Sequence, residues 1–285
     1  MSDAVDLGDA YAHCDAAARA GDKDRWLATL FAPAAHRPAL AALYAFNLEI
    51  AGARARIREP MAGEIRLQWW REAIEGRRPG EAAGHPVAAA LLDAITRYRL
   101  PRKALTDLIE ARVFDLYDDP MPSSADLDGY CGETQSSLFR LAALILADGA
   151  DPGGAEAAAH AGVAWGLVGV LRALPHTSAR GQVYLPGDLL ARHGLTRADI
   201  VERRDSPGLR AALAEMRALA RDHLEAMRDA ASSAAPAARA ALLPAFLCPA
   251  YLAAMERRAA APFAGAEEWP QWRRQWILWR AARRL

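Results

Sequence analysis

Residues with chemically reactive side chains are thinly spread along this sequence of 285 residues. Its seven histidines form no H-E-x-x-H pattern, and Cys14, Cys131 and Cys248 lie too far apart to indicate a shared metal. The acidic pairs at 118–119 and 126–128 stand beside Pro and Ser, as expected of solvated turns and helix caps. No G-x-S-x-G sequence, phosphate-binding loop or dinucleotide fingerprint occurs. The sequence therefore predicts reduced thiols and no metal or nucleotide site of a common kind.

Composition and hydropathy indicate a single all-α domain spanning residues 1–285. Ala and Arg are abundant, both favour helices, and no segment of four or more residues alternates like a strand. Lys+Arg and Asp+Glu both number 35, which gives no indication of a nucleic-acid partner. The first residues are partly acidic, and no stretch approaches about 18 uncharged apolar residues. We therefore expect a cytoplasmic protein without a signal peptide, transit peptide or spanning helix.

Three glycines recur at helical spacing in the segment 161–186. Gly162, Gly166 and Gly169 would place small residues on one helix face, which favours close packing against a backbone or a ligand. Both alternatives remain open from the spacing alone. Pro175 is predicted to end this helix, and the residues at 180–186 are predicted to form an ordered loop.

The residues that follow these glycines resemble the second signature motif of the squalene and phytoene synthase family. In outline that motif reads N-x-x-R-D-x-x-E-D and then, after a short spacer, R-G-R-x-Y-L-P. Residues that match its frame are Arg172, Arg180, Gly181, Tyr184, Leu185 and Pro186. The three acidic positions fall on Ala173, His176 and Thr177, and the second arginine after the spacer falls on Gln182. The frame of the motif is present, but its acidic residues are missing.

An earlier segment resembles the family's first motif, Y-A-F-x-R-x-x-D-D-x-x-D. The residues at 44–46 match its start, whereas Leu48 takes the place of the arginine. The carboxylate positions fall on Ala51, Gly52 and Ala55. The resemblance continues at 69–71, at 130–137 and near Tyr251, so that it covers almost the whole chain.

The resemblance implies an all-α isoprenoid (squalene/phytoene) synthase bundle around a central apolar cavity. In active members two Asp-rich helices hold Mg²⁺ ions that bridge to a diphosphate, because carboxylate oxygens are the ligands that Mg²⁺ prefers. Glu49 and Glu59 do not replace the missing acids, since one faces away from Ala51 and the other stands alone. We therefore expect no catalytic residue and no metal. The residues expected to line the cavity or bind a ligand are Tyr44, Asn47, Tyr130, Gly162, Gly166, Gly169, Arg172, Arg180 and Tyr184.

Two short sequences, A-F-N-x-E-x-A and L-R-A-x-P, resemble a non-catalytic branch of the same family. That branch includes an assembly factor of mitochondrial respiratory complex I. The resemblance implies a bacterial pseudoenzyme that serves the assembly of a respiratory membrane complex and binds a polyprenyl lipid or a quinone in its cavity. Two alternatives remain open at this point. One is an active head-to-head prenyltransferase with an atypical Mg²⁺ site, and the other is a protein-interaction scaffold with a filled cavity.

The last segment, at about 270–284, is predicted to be a helix rich in Trp and Arg. Trp272, Trp276 and Trp279 repeat at helical spacing after Trp269, with arginines such as Arg273 and Arg280 between them. Trp beside Arg is typical of a membrane interface, so peripheral contact at the inner face of the cytoplasmic membrane is one of two interpretations that stay open. The alternative is a helix that packs on the body of the protein through its Trp stripe and leaves its arginines in water.

Overall fold

The computed structural model describes residues 4–56, 59–232, 234–265 and 269–284. These residues contain sixteen α-helices and no β-strand, which confirms the predicted all-α class. The helices are α1 Leu7–Gly21, α2 Lys23–Thr29, α3 Arg37–Ala51, α4 Pro60–Ile74, α5 Pro79–Ala83, α6 Pro86–Tyr98, α7 Arg102–Ala111, α8 Ser124–Cys131, α9 Ser137–Leu146, α10 Ala155–Ala179, α11 Gly187–Arg192, α12 Arg197–Val201, α13 Pro207–Ala231, α14 Pro236–Ala241, α15 Cys248–Arg257 and α16 Gln271–Ala282. Short 3₁₀ turns at Arg54–Arg56, Arg112–Leu116 and Leu243–Leu247 extend three of the helices or connect them, and a π turn at Gly132–Ser136 joins α8 to α9.

Short polar side chains fix several helix starts. The Asp6 carboxylate accepts hydrogen bonds from the amides of Gly8 and Asp9 at the start of α1. The carboxylate of Asp22 accepts from the Arg25 amide in α2, and the Ser206 hydroxyl accepts from the Leu209 amide in α13. Each cap satisfies a backbone N–H that has no partner inside the helix.

The core is organised around α10, which packs along most of its length on α13 and also contacts α9 and the π turn. Its small residues allow this approach, because Ala161 and Ala164 are fully buried. The helix is long and apolar enough to cross a membrane by length and composition, which the sequence had not led us to expect. However, 61% of that apolar window is buried inside the protein. Its hydropathy therefore reflects a central position in the bundle.

One helix end differs from its prediction. The helix α10 continues to Ala179 with Pro175 inside it, so the prediction that this proline ends the helix is wrong. Proline removes one backbone donor, but Pro175 is buried and packing of the helix on both sides of it offsets the loss. The helix α3 ends at Ala51, where Gly52 leads into the 3₁₀ turn.

Candidate functional site

A half-enclosed cleft of about 350 Å³ lies between α3 and α10, where the resemblance placed the synthase cavity. The glycine face of α10 forms one wall of the cleft through Gly166 and Gly169. The last turn of α3 and the 3₁₀ turn after it form the opposite wall through Asn47, Ala51 and Ala55. The segments around Arg112 and Tyr184 close one end of the cleft. The space between the two motif-bearing segments is therefore open in the folded chain.

Four of the six positions that would carry carboxylates in an active synthase face this cleft. They are Ala51 and Ala55 on one wall, and Ala173 and Thr177 on the other. Gly52 is half-buried at the end of α3, and His176 is exposed on the outer side of α10. The Thr177 hydroxyl hydrogen-bonds to carbonyls of its own helix and is thus engaged locally. The walls that would hold metal ions are lined by methyl groups and one hydroxyl.

Six of the nine residues expected to line the cavity do so, namely Asn47, Tyr130, Gly166, Gly169, Arg180 and Tyr184. Gly162 lies outside the cleft, where it packs against Ser136 of the π turn. Tyr44 lines a neighbouring apolar cavity of about 240 Å³. Arg172 points the other way, with Nη1 3.6 Å from Asp24 and its guanidinium over the ring of Tyr251.

The carboxylate of Asp115 is the hub of a buried polar network at one end of the cleft. One of its oxygens accepts hydrogen bonds from the hydroxyls of Tyr130 at 2.7 Å and Tyr184 at 2.8 Å. The other oxygen accepts from Arg112 Nη1 at 3.0 Å, and Gln182 donates to the Asp115 carbonyl. Burial, together with the adjacent carboxylate, raises the pKa of both tyrosines well above their usual range. Both hydroxyls therefore stay protonated and continue to donate hydrogen bonds to the Asp115 carboxylate.

Four arginines line the cleft against this one aspartate: Arg25, Arg54, Arg112 and Arg180. Three of them have acidic partners, because Arg25 pairs with Asp22 at 2.8 Å, Arg54 with Asp118 at 3.3 Å and Arg112 with Asp115. Arg180 is exposed at the cleft and has no acidic partner among residues 4–56, 59–232, 234–265 and 269–284. The lining therefore carries a net positive charge, and Arg180 is its uncompensated cation.

Asn47 places a buried side-chain oxygen in the cleft that accepts no hydrogen bond from the described part of the protein. Its side chain is only 5% exposed, it lines the cleft, and its Oδ1 atom accepts no hydrogen bond from any described residue. A buried amide without a partner costs free energy, roughly 1–3 kcal/mol. A ligand or a water molecule in the cleft would satisfy it.

The residues of the cleft do not fit the Mg²⁺ cluster that the synthase fold implies. Mg²⁺ takes oxygen ligands, usually from carboxylates, and the only carboxylate in the described lining is held by two tyrosines and an arginine. Among the described residues, no three His, Cys, Asp or Glu side chains gather as a metal site. The arginines give the cleft the charge of an anion site instead.

The three cysteines contribute no nucleophile. Burial raises the pKa of Cys14, Cys131 and Cys248 to about 12, so each remains a protonated thiol. All three are free in the structure. Cys131 serves packing, since its side chain meets α10 at Gly166.

The terminal helix α16 is anchored through a buried cluster around Asp24. The Asp24 carboxylate accepts a hydrogen bond from the Tyr251 hydroxyl at 2.6 Å, and Arg274 Nε lies 2.9 Å from it. The ring of Trp269 stacks on Tyr251 at 4.3 Å. Leu278 and Ala281 complete the buried face of the helix. The helix therefore packs on the body through Arg274 and small apolar residues.

The Trp stripe of α16 faces outward, so the alternative in which it packs on the body is wrong for three of its four members. Trp272, Trp276 and Trp279 are 67%, 54% and 40% exposed, whereas Trp269 is buried. Trp276 and Trp279 stack on each other at 5.0 Å. Leu30 and Phe31, which follow α2, lie against the same concave surface and are also exposed.

Several residues of the cleft were not predicted from the sequence, among them Arg25, Arg54, Arg112 and Asp115. The pair Arg112 and Asp115 did carry a signal, because two opposite charges three residues apart lie between apolar neighbours in R-V-F-D-L. No comparable signal marks Arg25 or Arg54. Their position in the cleft depends on how the helices pack.

The fold and the paired motif walls together define the class of all-α isoprenoid synthase-type proteins. The family model for squalene/phytoene synthase matches residues 18–280, so the chain belongs to the squalene/phytoene synthase family. The crystal structure of squalene synthase HpnC from Alicyclobacillus acidocaldarius superimposes with a TM-score of 0.76 at 25% identity, covering 90% of this chain and 97% of that one.

Two characterised relatives illustrate the branches of this family. NADH dehydrogenase (ubiquinone) complex I, assembly factor 6, from Rattus norvegicus is 33% identical over 223 residues, which are 78% of this chain and 67% of the rat protein. Phytoene synthase from Thermus thermophilus is 32% identical over 159 residues, 54% of this chain and 52% of that protein. The chain thus spans about two thirds of the assembly factor's length and about half of the enzyme's.

Proposed function

We propose that this protein is a non-catalytic member of the family that acts in the assembly of a respiratory membrane complex of the complex I type. The observation that carries the proposal is an open cleft whose two metal-holding walls lack carboxylates, as at Ala51 and Ala173. The similarity to complex I assembly factor 6 supports the same conclusion. In this proposal the synthase architecture is retained for binding, and its metal chemistry is lost.

The cleft further supports a ligand with an apolar tail and an anionic head, such as a polyprenyl phosphate. Trp165, Val170 and Ala173 offer apolar contact, and burial of a tail contributes about 0.8 kcal/mol per CH₂. Arg180 offers a charged hydrogen-bond donor to the head without a metal, whereas the unused Oδ1 atom of Asn47 can only accept and would take a hydrogen bond from a water molecule beside the head. A quinone tail fits the apolar wall equally well, but a quinone has no charge for Arg180. An open cleft also speaks against a scaffold with a filled cavity.

The assembly role is tested by deletion of the gene in its own organism. We expect the amount of intact NADH–quinone oxidoreductase on native gels to fall and to recover when the wild-type chain is supplied. Normal amounts of the complex in the deletion strain, under conditions that require it for growth, would overturn the assembly proposal.

The ligand is tested separately with purified protein in EDTA, using native mass spectrometry with farnesyl monophosphate, farnesyl diphosphate and farnesol. We expect both phosphorylated compounds to bind more tightly than farnesol. Because a charge-assisted hydrogen bond contributes roughly 1.5–3 kcal/mol, Arg180→Gln should weaken their binding by about tenfold or more and leave farnesol unchanged. Equal binding of all three would refute an anionic head, and binding only with added Mg²⁺ would favour a synthase with an atypical metal site.

A plug variant has a matched control on the same protein. A Cβ atom at Gly169 would meet nothing within 4 Å, and this residue lines the cleft, so Gly169→Leu should fill it. Gly129 in α8 is also exposed with nothing within 4 Å, but it lies outside the cleft lining. Gly129→Leu should therefore bind the farnesyl phosphates as the wild type does, whereas Gly169→Leu should not. Loss of farnesyl phosphate binding in both variants would indicate general destabilisation and not a filled cleft.

A further inference from the structure

The outward face of α16 carries an apolar surface that no described residue covers. Trp272, Trp276 and Trp279 lie on one side of the helix, and Leu30 with Phe31 extends the surface across the end of α2. We call these five residues the Trp face. Large exposed apolar patches on monomers mark sites of interaction with membranes or other proteins.

Basic residues border the Trp face along one flank. At about 100° per residue, Arg273, Arg280 and Arg284 fall in one row beside the Trp stripe, and Arg283 falls within the stripe. The guanidinium of Arg283 lies 4.9 Å from the centre of the Trp279 ring. No acidic residue occurs in Gln271–Ala282, and none of these four arginines pairs with an acid in the described part of the chain. Among the described residues, this flank therefore carries only positive charge.

We infer that the Trp face docks the protein on the surface of an anionic lipid bilayer. Indole rings at the headgroup level and arginines at anionic phosphates are the pairing expected of a helix lying in a membrane interface. The uniform charge favours lipid over a protein partner, because the surface of a lipid leaflet presents one sign of charge. The buried ion pair of Arg274 with Asp24 on the opposite side fixes the helix so that its Trp face points outward.

An apolar cavity next to the Trp face is also suited to contact with lipid. Phe31 lines both the Trp face and the adjacent apolar cavity of about 240 Å³, which is bounded by residues such as Leu40, Tyr44 and Leu243. Docking at the Trp face would therefore bring this cavity next to the acyl chains. The inference stands independently of the ligand in the arginine-lined cleft.

The test is flotation of the full chain with vesicles of phosphatidylcholine alone and of phosphatidylcholine mixed with phosphatidylglycerol. We expect binding to the mixed vesicles at low salt, weaker binding at high salt, and little binding to phosphatidylcholine alone, because salt screens attraction to the anionic surface. Brominated lipid should quench Trp emission in the bound protein. Binding that is equal for both vesicles and insensitive to salt would overturn the role of the arginines.

Two combined variants test the contributions of the tryptophans and of the arginines separately. Combined substitution Trp272→Ser, Trp276→Ser and Trp279→Ser should abolish flotation and quenching. The charge reversals Arg273→Glu, Arg280→Glu and Arg284→Glu should reduce vesicle affinity by at least about tenfold.

Matched controls lie elsewhere on the surface. Met61→Ser with Ile65→Ser removes two apolar residues that are 71% and 66% exposed on α4, and Arg97→Glu with Arg228→Glu reverses two exposed charges. Both controls should float like the wild type. If wild-type protein ignores pure vesicles but binds membranes that contain respiratory complexes, and the Trp variant loses this binding, the Trp face is a protein-docking site and the lipid inference is wrong.

Discussion

Replacement of each of the glycines at 162, 166 and 169 in α10 by alanine gives a graded test of how that helix is packed. In an open helix, Gly→Ala stabilises by up to about 1 kcal/mol because alanine has the higher helix propensity. The same methyl group destabilises where it meets another atom closer than ordinary van der Waals contact. The three glycines at 162, 166 and 169 sample three different distances from their neighbours.

The distance from an added Cβ atom to its nearest neighbour differs among the three positions, so the expected change in stability differs as well. At Gly162 a Cβ atom would lie 2.2 Å from the backbone nitrogen of Ser136, which cannot move without breaking the π turn. At Gly166 it would lie 2.4 Å from the sulfur and 2.8 Å from the Cβ atom of Cys131. Overpacking of this kind costs about 1–3 kcal/mol, and more where backbone must shift. At Gly169 nothing lies within 4 Å.

The expected order of unfolding free energy is therefore Gly169→Ala above the wild type, then Gly166→Ala, and Gly162→Ala lowest. Gly169→Ala should gain roughly 0.5–1 kcal/mol, whereas Gly166→Ala should lose about 1–2 kcal/mol and Gly162→Ala about 3 kcal/mol or more. Urea unfolding followed by circular dichroism at the helix band measures all three. An unchanged midpoint for Gly162→Ala would refute the packing of α10 on the π turn, and a loss at Gly169→Ala would refute the open space beside Gly169.

Three further predictions concern the polar network, a histidine and metal ions. Asp115→Ala should cost about 3–5 kcal/mol in urea unfolding, because it leaves the buried guanidinium of Arg112 without its partner. Asp118→Ala, which breaks a partly exposed pair with Arg54, should cost less than about 1 kcal/mol, and equal costs would contradict the account. Burial lowers the pKa of His85, so near pH 6.5 the imidazole takes up a proton more readily in the unfolded chain than in the folded one. The free energy of unfolding should therefore fall as pH drops from about 7 to about 5. His85→Asn keeps a capping side chain and should make that fall smaller; an unchanged slope would exclude His85 as its source. Finally, Mg²⁺ should not raise the melting temperature beyond Na⁺ at equal ionic strength, whereas a saturable rise would reveal a metal site.

The sequence was sufficient to predict the fold and the two walls of the cleft. The motif frames placed Ala51 and Ala173 on helices that face each other, because helical spacing fixes which side each position occupies. The same regularity predicted a Trp stripe at 272, 276 and 279. Periodicity does not say whether a stripe faces the core or solvent, and here the buried contact of Arg274 with Asp24 decides.

The charge of the cleft could not be predicted from the sequence. Arg25, Arg54, Arg112 and Arg180 are spread over 156 positions and meet only through packing of distant helices. The surroundings of the α10 glycines could not be predicted either, because spacing alone does not distinguish contact with a backbone from contact with a ligand. Gly162 and Gly166 pack on other segments, and the open site for a plug is Gly169. Gly166 also lines the cleft but has no room for a side chain.

In our proposal the synthase fold serves here without synthase chemistry, and a turnover assay is the most direct test. Purified full-length protein is incubated with farnesyl or geranylgeranyl diphosphate and Mg²⁺, and hydrocarbon and diphosphate products are measured by mass spectrometry beside an active family member. Because Ala51, Ala55, Ala173 and Thr177 stand at the metal-ligand positions of the cleft, we predict no squalene, phytoene or presqualene diphosphate above the no-enzyme control. Product that forms with Mg²⁺ and disappears with EDTA would contradict the account.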